Sequence, residues 1–165
     1  MEKNLIPSAA FNTPLEAGIR AISILLPAFP AAYDIQKLVA FDHLIVHTGD
    51  VGGPESLHPN LPLRSTEILV RRGLVERGLL LMISRGLAER TLDAHGIYYQ
   101  AREMTEPFLS NFAAPYLKAL RERGIWVVKT FGDFSDDLLR ETMARYFAQW
   151  LQEFQASQHL LETQV

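Results

Sequence analysis

A mainly α-helical domain with a small β-hairpin wing is predicted by three observations. Apolar residues recur at helical spacing along most of the chain. Capping residues, glycines and prolines bound those stretches. One short segment, 87–101, reads instead as two strands about a turn. A helix running at once into a hairpin gives a winged-helix-like α+β domain, here with additional C-terminal helices.

Each element has a local reason. Residues 1–12 read as a loose arm. Thr13-Pro14-Leu15-Glu16 starts a helix: Thr13 caps, Pro14 suits the first helical position and Glu16 completes a capping box. Pro27 and Pro30 are expected to stop this helix at about Leu26. Asp34 caps a second helix that runs to about His47 and closes at Gly49. Residues 48–64 form a Gly/Pro-rich connection longer than most, a length often associated with a functional or partner-contacting loop. Ser65 or Thr66 opens the next helix, with Glu67 in its first turn. Gly73 either breaks that helix or lies within it before the stretch from Leu74 to about Arg85, which Gly86 ends.

The hairpin follows. Leu87 to Thr91 and Ile97 to Ala101 read as strands around the turn Asp93-Ala94-His95-Gly96. Beyond it come a short helix over 103–111, a longer one from Pro115 to Phe131 closed by Gly132, and a last helix capped by Ser135. The last carries Leu139, Met143, Tyr146, Phe147, Trp150 and Phe154 on one stripe. This divides the chain into an arm (1–12), a winged-helix-like core with flanking helices (13–132), an amphipathic C-terminal helix (133–158) and a tail (159–165).

Composition narrows the function. The chain has 165 residues, enough for one domain with its own core, and a net charge of -3. Such a balance has no overall attraction for nucleic acid or anionic membranes. With no cysteine, disulfides, thiolate catalysis and zinc–thiolate sites are excluded. No apolar run approaches a membrane span, and the first residues do not form a signal peptide. The protein reads as cytoplasmic, with no membrane partner.

Arginine is concentrated between 64 and 90, at Arg64, Arg71, Arg72, Arg77, Arg85 and Arg90. Of these, Arg64, Arg71, Arg72, Arg77 and Arg90 are candidate contacts to DNA phosphates, which would be sequence-independent. The helix that would enter a groove argues against base reading. At 100° per residue, Leu74, Val75, Gly78, Leu79, Leu81, Met82 and Ile83 sweep half its circumference, leaving Glu76, Arg77, Leu80 and Ser84. Leu80 faces another helix of the same chain, a partner protein or a groove.

Other candidate sites are weaker. His43 and His47 stand one helical turn apart with Asp50 and His58 just beyond, a set that could hold zinc in a metal-dependent hydrolase. No glutamate flanks His43 in the metalloprotease pattern. The plainer reading of the two histidines is a solvated or interface stripe, with Asp42 bonding the backbone of the following loop. Gly49-Asp50-Val51-Gly52-Gly53-Pro54 follows a helix and lacks Gly-Lys-Ser/Thr, so it is not a phosphate cradle. No nucleophile elbow is present. Ile125 and Trp126 fall off the apolar stripe of their helix, and with Trp150, Phe154, Leu80, His43 and His47 they are candidate protein-interface residues.

Five stretches carry a family resemblance: HTGDVGGPESLHP (47–59), PLRSTEILVRRGLVERGLLLMISRGLAER (62–90), GIYYQA (96–101), PFLSNFAAPYLKALRERGIWVV (107–128) and FGDFSDDLLR (131–140). In this order they resemble the middle component, second type, of bacterial ABC-three-component conflict systems. That family is similar to the small accessory subunit of Lamassu-type antiphage defence. The resemblance implies a non-catalytic adaptor beside an SMC-like or RecN-like ABC ATPase with a coiled coil, and beside an effector such as a nuclease. ATP would belong to the partner ATPase, this chain would hold no cofactor, and double-stranded DNA would be met non-specifically through the complex. Gly73 departs from the helix-favouring residue expected there and puts the continuity of 65–85 in doubt.

Overall fold

The computed structural model describes residues 13–59 and 65–146. Its elements, in order, are α1 (Pro14–Ala28), α2 (Ile35–Val46), a 3-10 turn (Thr48–Val51), α3 (Ser65–Ser84), β1 (Ala88–Asp93), β2 (Gly96–Ala101), α4 (Thr105–Ser110) and α5 (Pro115–Phe131). A sixth helix, α6, begins at 136 and is described to 146. Among the described residues the fold is therefore mainly α with one two-stranded antiparallel hairpin, as the spacing predicts.

α1 is the central helix. Ten of its 15 residues are buried, and α2, α3, α4 and α5 all pack on it. Two close crossings make this possible. Gly18 of α1 meets Gly78 of α3, where a Cβ on Gly78 would fall 2.5 Å from the Gly18 nitrogen. Gly124 of α5 sits on the Ser23 carbonyl, with no room for a Cβ between them. Pro27, one turn later, has no N–H to donate to that carbonyl. Around these crossings Ile22, Leu25, Phe41, Ile45, Leu79, Met82, Leu120 and Val127 form the core.

The helix starts follow the predicted caps in part. Thr13 accepts from the Glu16 N–H at 3.3 Å, but Glu16 does not return the bond; its Oε2 is buried without a partner. Asp34 caps α2 through the Lys37 N–H at 2.8 Å. Ser135 caps α6 through the Leu138 N–H at 3.2 Å. One helix end departs from expectation, and one open point is decided. α1 runs through Pro27 to Ala28, because a proline in the final turn forgoes only one bond and the Phe29 N–H still closes on Leu25 and Leu26. α3 is unbroken from Ser65 to Ser84: Gly73 lies within it, and packing of the helix on α1 and α2 outweighs the local glycine penalty.

In the hairpin, Ala88 pairs with Ala101 and Asp93 with Gly96, so both strands reach closer to the turn than the sequence suggests. The Asp93 carboxylate accepts from the His95 and Gly96 N–H groups, and Gly96 takes φ +140. Tyr33, between α1 and α2, exchanges both backbone bonds with Tyr99 and so ties the hairpin to the helices. The short helix starts at Thr105, later than expected, where the Thr105 hydroxyl donates to the Leu87 carbonyl. Lys37 donates to the Gly132 carbonyl at 2.6 Å and to that of Phe134 at 3.4 Å, holding the end of α5 against α2. Leu139 of α6 is buried and Met143 packs on the same core. The arm, the tail, Arg64, Trp150 and Phe154 lie outside the described residues.

Candidate functional site

An interior polar cluster lies where α1, α2, α3 and α5 meet the 47–59 segment. Arg20 sits in the apolar run of α1 and is 3% exposed. Its Nε donates to Asp42 Oδ1 at 2.7 Å. Arg71 Nη1, from α3, donates to Asp42 Oδ2 at 2.6 Å. Asp42 thus joins three helices rather than bonding the loop backbone, correcting the sequence reading. A buried carboxylate is accommodated only when paired this way. Arg71 is thereby engaged within the fold through Nη1.

Three histidines adjoin this network. The rings of His43 and His47 are 4.5 Å apart between centroids, and those of His47 and His58 are 6.3 Å apart, edge to face. His58 Nε2 and the Tyr116 hydroxyl are hydrogen-bonded at 2.8 Å. His47 is 7% exposed, and the Nδ1 atoms of His43 and His47 are buried without partners. Desolvation, reinforced by neighbouring positive charge, lowers His43 to about 3 and His47 and His58 to about 4. The imidazoles are therefore neutral at physiological pH. The pair lies within the fold, not on the solvated stripe that its i, i+4 spacing suggests. Among the described residues no group of three His, Cys, Asp or Glu is placed to hold a metal ion, and Asp50 stands apart at the surface.

The 47–59 segment is tied down. The Leu57 and His58 N–H groups donate to the Val46 carbonyl at 3.0 and 3.1 Å. Thr48 Oγ1 donates to the Pro54 carbonyl at 2.7 Å, and Arg123 donates twice to that of Glu55. Gly53 lies under the Trp126 ring, where a Cβ would fall 2.5 Å from Cη2. Trp126 also meets Phe131 edge to face. Its off-stripe position is thus taken up by contacts within the chain.

Other predicted residues are at the surface. Leu80 is 57% exposed and faces no other helix of the described chain; Ile125 is 53% exposed. Ile125 borders a shallow cleft of about 200 Å³ with Leu26, Pro27 and Leu109, edged by the Glu106–Arg121 ion pair. Arg72 pairs with Glu76 at 3.2 Å, whereas Arg77 and Arg90 are exposed. The site residues that spacing did not reveal are Arg20, Tyr116 and Asp42 in its pairing role. Their only sequence signal is a charged residue inside an apolar helix, as in AGIRAISILL.

The described chain is thus a helical domain with a tethered hairpin and an inward-turned polar cluster. Residues 10–153 match the family described as ABC-three component (ABC-3C) system Middle Component 2, and the chain belongs to that family. No curated protein matches it. No solved structure matches it either. As a middle component it is an accessory part of a multi-component system and has protein partners there. Among the described residues no helix is long and apolar enough to cross a membrane.

Proposed function

We propose that this chain is a non-catalytic adaptor that bridges an SMC-like ABC ATPase and an effector, such as a nuclease, in a cytoplasmic antiviral complex of the Lamassu kind. The observation that carries the reading is the family match over 10–153. Leu80 on α3 and Ile125 on α5 are exposed apolar side chains available to such partners. The adaptor co-purifies stably with the ATPase and the effector of its own system. Elution of the chain alone after co-expression with both counts against the reading.

A second reading is a winged-helix DNA binder. It is favoured by α3 leading into the hairpin, by the isolated Tyr33–Tyr99 bridge from the α1–α2 connection to the hairpin, and by the exposed Arg77 and Arg90. Glu76 and Leu80 on the same helix make a poor groove surface. On this reading, duplex affinity drops steeply with salt and falls on replacing Arg77 and Arg90. Absence of duplex binding at low salt removes it.

A further inference from the structure

The outer side of α3 has the residue spacing of a helix-pairing seam. Val70, Gly73, Arg77, Leu80 and Ser84 follow at alternate steps of three and four. Val70 is 68% exposed, and Arg77, Leu80 and Ser84 are exposed with it. The opposite side of the helix, with Leu74, Val75, Gly78, Leu79 and Met82, is buried. The exposed side of α3 thus sets two apolar residues, Val70 and Leu80, among the polar Arg72, Glu76, Arg77 and Ser84. Gly73 opens a hole in the seam: a Cβ there would meet only Arg77 Nη1, at 3.8 Å.

Charge selects the occupant. Arg77 at the middle of the seam makes no ion pair among the described residues, and neither does exposed Arg85 at its end. A second copy packed in register, parallel or antiparallel about the centre, would set Arg77 against Arg77, an unfavourable contact of like charges. A helix with a carboxylate at that level meets no such opposition. We propose that the outer side of α3 receives one helix of a partner protein, with apolar residues opposite Val70 and Leu80 and a carboxylate opposite Arg77. The inference rests on the accessory-subunit reading and locates its partner-binding face.

The test uses the full chain with the other two proteins of its system, as wild type and as Leu80→Glu, Val70→Glu, Arg77→Glu and Ile125→Glu. All four changes are at exposed positions, and thermal melts of the isolated variants check that the fold is kept. The expected result is a loss of affinity of at least about ten-fold for each α3 variant, little change for Ile125→Glu, and a weaker salt dependence for Arg77→Glu. Affinity within about two-fold of wild type for Leu80→Glu and Val70→Glu overturns this inference while leaving the accessory-subunit reading intact. A wild-type chain that binds neither protein overturns both. Three further outcomes also overturn it. They are a homodimer dissolved by Leu80→Glu, loss confined to Ile125→Glu, and duplex binding lost in Arg77→Glu while protein binding is unchanged.

Discussion

Asp42 is the residue on which three helices depend, and its environment sets the first expected outcome. Replacing it by Asn removes the carboxylate that Arg20 and Arg71 share, and Arg20 is only 3% exposed. Removing one partner of a buried pair costs about 3–5 kcal/mol, so Asp42→Asn lowers the urea midpoint by that equivalent or prevents folding. The neighbouring histidines set a pH dependence. In the unfolded chain an imidazole takes up a proton near 6.5, whereas in the fold His43 resists to about 3 and His47 to about 4. Below about pH 6.5 the unfolded chain therefore holds more protons than the folded one. Stability falls as the pH is lowered from there toward 4, by about 1.4 kcal/mol per pH unit for each histidine once the unfolded one is protonated. Denaturation at pH 7 and pH 5 measures the slope, and His43→Gln or His47→Gln flattens it.

At the scale of the elements, glycines separate two kinds of position on one helix. Gly78→Ala places a methyl against the backbone of α1 at Gly18 and forces the crossing apart. The expected cost is about 1–3 kcal/mol, more than the helix propensity gained. Gly73→Ala, where the surroundings are open, stabilises the isolated chain by up to about 1 kcal/mol. Thermal melts of the two variants shift in opposite directions. Gly53→Ala displaces the Trp126 ring; in a Trp150→Phe background the emission of Trp126 moves to longer wavelength as the 47–59 segment loosens.

At the scale of the whole molecule, the described body exposes apolar side chains at several places, among them Val70 and Leu80 on α3, Leu92 and Ile97 on the hairpin, and Ile125 on α5. The polar cluster is held within the fold by its partners on α1, α2, α3 and α5, so it contributes to holding those helices in place. On the inference above, the outer side of α3 is where a partner protein is met. Protein partners and DNA differ in one measurable respect. Contacts to phosphates weaken steeply between about 50 and 200 mM salt, whereas an apolar helix seam does not. Binding of the chain to its system's proteins is therefore expected to survive that change largely intact.

The sequence by itself determined which stretches are helices and which are strands. Caps, glycines and period are local properties, so Asp34, Ser135 and the Asp93–Gly96 turn were readable from neighbours alone. The two faces of α3 were also readable, because helical spacing decides which residues lie together whatever packs on them. The family was legible as well, in stretches lying within residues 10–153. Only the tertiary structure decided how the sides were used. Asp42 lies 22 and 29 positions from its two arginines, and His58 lies 58 positions from Tyr116, so no local rule could pair them. The extension of α1 through Pro27 and the continuity of α3 through Gly73 belong to the same class. Packing between helices outweighed a local preference worth about 1 kcal/mol at Gly73 and one lost hydrogen bond at Pro27. Long-range contacts carry the larger energy, and that is the part a linear reading does not contain.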